Sequence, residues 1–116
     1  MTIERIQPGP RMSQAVVHNG MVFLAGQVAQ GKPGASVAEQ TRDILERIDA
    51  LLAAAGTDKT RLLTANIWLA DIKTFDEMNG VWDRWVAPGA TPARATVEAK
   101  LAAPHYTVEI AVTAAR

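Results

Sequence analysis

Ten residues, RLLTANIWLA from Arg61 to Ala70, limit the fold of this chain more than any others. Read as a strand, they place Leu63, Ile67 and Leu69 on one face, yet Leu62 and Trp68 make the other face apolar as well. A strand that is apolar on both sides needs cover on both sides. The segments before and after it read as two helices, enough to cover one face of a sheet. Self-association is the economical way to cover the other, so the segment predicts a homo-oligomer.

The first helix is the better signposted. In SVAEQTRDILERIDALLAAAG, Ser36 and Glu39 have the spacing of a capping box, in which each side chain satisfies an amide at the helix start. Val37, Thr41 through its methyl, Ile44, Leu45, Ile48, Leu51, Leu52 and Ala55 fall on one stripe. Gly56 then stands where helices commonly end in a left-handed residue. The second helix is expected over TFDEMNGVWDRW, where Thr74 and Glu77 repeat the capping spacing and Phe75, Met78, Val81, Trp82 and Trp85 form the stripe. Gly80 costs about 1 kcal/mol relative to alanine there, less than the periodicity supplies.

The remaining regular segments read as strands. TIERI is short and alternating, and AVVHNGMVFLAGQVA has the form strand, Asn-Gly turn, strand. PARATVEA alternates Arg94, Thr96 and Glu98 with Ala95, Val97 and Ala99. YTVEIAVTA places Tyr106, Val108, Ile110 and Val112 on one face and Thr107, Glu109, Ala111 and Thr113 on the other. QGKPGA and APGATP read as loops. The order β-ββ-α-β-α-ββ predicts an α+β fold, one domain over residues 1–116, with about six strands in a single sheet and two helices on one face.

Charge and composition remove several function classes. Twelve lysines and arginines balance twelve aspartates and glutamates, with no basic block, so nucleic acid is not an expected partner. There is no cysteine, which excludes disulfides and thiolate chemistry. No apolar run approaches the length of a membrane span, and MTIERIQPGP lacks the form of a signal peptide, so a soluble cytoplasmic protein without membrane partners is expected. His18 and His105 are the only histidines and neither has a second ligand at metal spacing, so no metal or cofactor is expected. GKPGAS lacks the Walker pattern, and Ser13 and Ser36 lack a nucleophile elbow.

Arg94 and Glu109 remain. An arginine at the mouth of a strand either trims a strand end in solvent or faces something that needs a planar positive charge. Glu109 sits on a face that the oligomer argument buries, where a carboxylate finds a partner or shifts its pKa. A structural Arg–Glu pair would satisfy the same residues, and the pattern alone leaves both readings open.

In order along the chain, MSQAVVHNGMVFLAGQVA, EQTRDILERIDALLAAAGTDKTRLLTANIWLADIKTFDEMN and PARATVEA with VEIAVTA resemble the RidA family, also called YjgF. The combination of PAR-x-x-V-E with G-Q-V, Q-T and D-x-x-x-F-x-x-M-N carries the resemblance, which covers essentially the whole chain. TIERI, WDRWVAPG and PHYTVEI are most similar to the small YoaB-type branch. The resemblance implies a chorismate-mutase-like fold assembled as a homotrimer with clefts between subunits. It implies a hydrolase that converts reactive 2-imino and 2-enamino acids, of the 2-aminoacrylate and 2-iminopropanoate type, to 2-keto acids and ammonia. Such imines are by-products of pyridoxal-phosphate enzymes.

The same resemblance makes Arg94 the clamp for the substrate carboxylate and Glu109 the residue that orients water. It adds the backbone at Thr96, the turn of Ala25, Gly26 and Gln27, and Asn79 as further contacts. Met12 and Ala25 stand where the family has tyrosine and serine, and some members carry cysteine where this chain has Thr96. Loss of a phenol and a hydroxyl makes the pocket more apolar, so a shift toward larger apolar imines is expected. The alternative is a non-catalytic trimer that binds 2-keto acids or other small carboxylates. Some relatives have been described as ribonucleases or translation inhibitors, against which the neutral charge balance speaks.

Overall fold

The computed structural model describes residues 2–116. Strand β1 (Glu4–Pro8) pairs antiparallel with β2 (Ser13–His18), which turns into β3 (Met21–Leu24). The turn is made by Asn19 (φ 52°) and Gly20 (φ 72°), both left-handed as a two-residue hairpin of matching twist requires. The segment expected to continue as one strand to Ala29 breaks at Ala25 and Gly26. A separate two-residue strand, β4 (Gln27–Val28), follows and pairs with the last strand, which adds one short member to the six expected.

Helix α1 (Val37–Ala54) is capped by Ser36, whose hydroxyl accepts from the Glu39 amide at 3.2 Å. It ends as the glycine predicts. Gly56 is left-handed (φ 82°), its N–H bonds Ala53 O, and the Thr57 N–H bonds Leu52 O, the paired pattern of a Schellman cap. Strand β5 (Leu62–Leu69), helix α2 (Phe75–Trp85) and strand β6 (Ala93–Glu98) form a parallel β-α-β unit, and β7 (Val108–Ala115) closes the sheet. The strand order is β1-β2-β3-β7-β5-β6, antiparallel except for β5 with β6.

Two local expectations differ from the structure. Thr74 and Glu77 do not form a capping box: Thr74 Oγ1 donates to Asp71 O, and Glu77 Oε2 accepts from the Ala38 amide at the start of α1. Glu77 therefore ties the two helices together instead of closing its own. Tyr106 and Thr107 lie before β7 because the Thr107 amide is taken by Gln40 Oε1 and its carbonyl by the Ala70 N–H.

Both helices pack on one face of the sheet, where Ala15, Val17, Val22, Ala65, Ile67, Leu69, Val108, Ile110, Val112 and Ala114 meet Ile44, Leu45, Ile48, Leu52, Met78 and Trp82 in one core. The chain belongs to the α+β class in its chorismate-mutase-like form. A bulge at Leu63 resolves the two-faced reading of β5 in part. Leu62 turns to the core with Ile67 and Leu69, while Leu63 is left exposed, so the alternation expected for Leu62 and Leu63 is reversed. The uncovered face carries Thr64, Asn66, Thr113 and Glu109 but keeps large apolar side chains as well: Phe23 is 44% and Val97 50% exposed, with Trp68 half-buried between β6 and β7.

Candidate functional site

Arg94 is placed by β6 on the helix side of the sheet. Its register partner on β5 is Ala65, which in turn faces Val112 of β7, and both are 1% exposed. Because β6 is the edge strand, the arginine is not driven into the core but lies half-buried under α2. Its Nη1 donates to Asn79 Oδ1 at 2.7 Å. The guanidinium carbon stands 5.3 Å from the Trp82 ring centre and 5.7 Å from that of Phe75, within cation–π range of both. The ion pairs among the described residues are Arg47–Asp43 and Arg116–Glu4, so no carboxylate compensates Arg94. Thr96, next but one on the same face of the strand, has a buried hydroxyl without a hydrogen-bond partner.

Glu109 lies on the opposite face. Its register partner on β5 is Trp68, which pairs across to Val97 of β6, and on the other side it faces Val28 of β4. The break at Ala25 and Gly26 makes room for it. A Cβ at Gly26 would overlap Glu109 Oε2 and stand 3.0 Å from its carboxyl carbon, so the carboxylate rests against bare backbone. Burial raises the Glu109 carboxyl above the ordinary glutamate value, since partial loss of water penalises the charged form.

The structure thus sorts the expected residues into two groups. Arg94, Asn79 and Thr96 gather on β6 and α2; Glu109, Ala25 and Gly26 gather on β7 and the β3–β4 turn. The two groups are on opposite sides of one sheet and do not meet within a protomer, and no Arg94–Glu109 pair forms. Met12 is exposed in the turn before β2, in neither group. Neither histidine joins a group: His18 Nδ1 is 3.3 Å from Thr2 O, and the His105 carbonyl accepts from Gly34 and Gln40.

Three residues gain weight from the structure. Phe75 and Trp82 read from the sequence only as members of the core stripe, yet with Asn79 they form an i, i+4, i+7 row facing Arg94. That spacing was the available signal. Gln40, fully buried, donates to Ala35 O and His105 O and accepts from the Thr107 amide, fixing the entry to β7.

A family model described as "Endoribonuclease L-PSP" matches residues 2–116. The chain belongs to the RidA/YjgF family. Among RidA/YjgF relatives, a RutC family protein of Haemophilus influenzae is 47% identical over 114 residues, 98% of each chain. The RutC family protein YoaB of Escherichia coli is 43% identical over 115 residues, 99% of each chain, which sets this RidA/YjgF member near the YoaB branch. A crystal structure of a YjgF-family protein of Neisseria meningitidis superposes with a TM-score of 0.96 at 51% identity, covering 100% of this chain and 96% of the other. Among the described residues, no helix of this RidA/YjgF chain is long and apolar enough to cross a membrane.

Proposed function

We propose that this protein hydrolyses reactive 2-imino acids, and the 2-enamino acids that tautomerise to them, to 2-keto acids and ammonia, at sites formed between copies in a homotrimer. The observation that carries the reading is the half-buried Arg94 guanidinium, held by neutral groups and uncompensated by any carboxylate among the described residues. Such a group needs an anion, and its planar fork fits a carboxylate. With the substrate so anchored, water adds to the imine carbon while the C=N electron pair moves to nitrogen, which takes up a proton. Glu109 takes that proton from the attacking water and passes it to the nitrogen, giving a carbinolamine. It then relays the carbinolamine hydroxyl proton to the same nitrogen, the C–N bond breaks with its electron pair leaving on ammonia, and the C=O bond forms. Glu109 has a backbone-lined place for its carboxylate and a raised pKa, both fitting a proton carrier.

The opposite-face placement of Arg94 and Glu109 supports a shared site. The apolar side chains of the uncovered face support the assembly, because Phe23, Val97 and Trp68 would otherwise remain in water. A non-catalytic carboxylate sensor is the second reading, favoured by one fact: Asn79, Phe75 and Trp82 hold the Arg94 guanidinium without Glu109, so the clamp is formed with no acid–base group beside it.

An amino-acid oxidase generating imines from alanine, leucine and methionine tests the reading through the rate of imine loss. Wild type should accelerate the loss and Arg94→Ala should lower kcat/KM about 30-fold or more, the loss of a charged bidentate contact. Equal rates for the two would overturn the reading. Binding of 2-keto acid without turnover would select the sensor.

A further inference from the structure

The row that holds Arg94 is uncharged from end to end: Phe75, Asn79 and Trp82. This is an unusual way to hold a half-buried cation, because the ordinary solution is an Asp or Glu. A carboxylate at position 79 would reach the guanidinium from the same backbone site at the 2.7 Å that Asn79 spans, and would cancel its charge. From this, and resting on the functional reading above, we infer that the Phe75–Asn79–Trp82 face of α2 is a neutral positioning cradle, which fixes the Arg94 guanidinium while leaving its charge free for the substrate carboxylate.

Each member has a separate task. Asn79 accepts one of the five guanidinium N–H donors, leaving the Nε–Nη2 edge without a partner among the described residues. Trp82 is 5% exposed and packs 5.3 Å from Trp85 at 50°, so its ring is a fixed wall for the guanidinium. Phe75, at 37% exposure, is the outer wall and stands at the edge of α2 that solvent reaches. Two ring faces attract the cation without neutralising it, since a quadrupole orients a charge but carries none. The cradle therefore lowers the ordering cost of binding, as pre-organised sites do.

The test measures binding of 2-ketobutyrate, a stable carboxylate bearing the product's carbonyl, by calorimetry, alongside imine hydrolysis and thermal melting. Asn79→Asp should weaken 2-ketobutyrate binding about tenfold or more while melting no lower than wild type, because it adds an ion pair and removes the free charge. Phe75→Leu should weaken binding roughly two- to fivefold with little change in melting, and raise KM more than it lowers kcat. Trp82→Phe should keep most of the affinity and Trp82→Leu should not, although both cost packing. If Arg94→Ala binds 2-ketobutyrate as wild type does, the functional reading itself falls. If Arg94→Ala loses binding while Asn79→Asp and Phe75→Leu bind as wild type, the cradle is refuted and the functional reading stands.

Discussion

Arg94 and Glu109 face opposite sides of the same sheet: Arg94 is aligned with Ala65 and Val112 of the core face, Glu109 with Trp68 and Val97 of the uncovered one. A chemistry that uses both draws them from two copies of the chain. Arg94→Ala and Glu109→Gln, each strongly impaired alone, should therefore regain activity when unfolded and refolded together. In randomly mixed rings, roughly a quarter of the interfaces would carry both native residues. Hydrolysis rates of the mixture against each parent check this; a mixture no faster than its parents would place the two residues in separate functions.

Glu109→Gln alone should lower hydrolysis about 10²- to 10⁴-fold, the usual contribution of a positioned acid–base group, and leave 2-ketobutyrate affinity near that of wild type. The wild-type kcat/KM should rise with pH as Glu109 ionises, with a midpoint above the ordinary 4.5. Stability moves the other way. A raised folded pKa means the native state holds the proton more tightly, so the contribution is present below the unfolded pKa and lost as pH rises through the folded one. Glu109→Gln should gain stability relative to wild type across that window, measurable by denaturant titration at several pH values.

Gly26→Ala places a methyl where the Glu109 carboxylate rests. Because the obstructed atoms are the far end of a flexible side chain, the carboxylate swings away and the fold survives. Hydrolysis should fall at least about tenfold with 2-ketobutyrate binding kept, whereas an unchanged rate would mean that the position of the carboxylate is immaterial.

Gln40→Ala removes three hydrogen bonds from a fully buried side chain and strands the Thr107 amide and the Ala35 carbonyl, while the His105 carbonyl keeps its bond from the Gly34 amide. The expected cost is about 2–4 kcal/mol, seen as a melting temperature lower by about 10 °C.

Phe23→Glu with Val97→Glu puts charge in place of apolar side chains on the uncovered face, where both are near half exposed. Sedimentation should show a smaller species than wild type, and hydrolysis should fall with assembly although Arg94 and Glu109 are intact.

Much of this architecture was readable residue by residue. Ser36, the stripe from Val37 to Ala55 and Gly56 defined α1, and Asn19-Gly20 defined the β2–β3 hairpin, because each signal is local and acts through its own backbone. Glu77 misled because its nearest amide in space belongs to Ala38, 39 residues away, and no local pattern reports that. No local pattern reports the break at Gly26, which only the family resemblance marked as a turn: the carboxylate that rests there belongs to Glu109, on a strand more than eighty residues later. Position 79 shows the remaining limit. Apart from the family resemblance, nothing local marks an asparagine in mid-helix as a site residue until the fold brings Arg94 beneath it.

Strand β7 carries a further consequence of the strand order. The meander β1-β2-β3 on one side and the β5-α2-β6 unit on the other share no ladder except through β7. It is the seam of the molecule, closed by pairings distant in sequence, so folding waits on its slowest contacts. Opening the seam releases both flanks in one event, and amide hydrogens of β3 and β5 should exchange at a common rate.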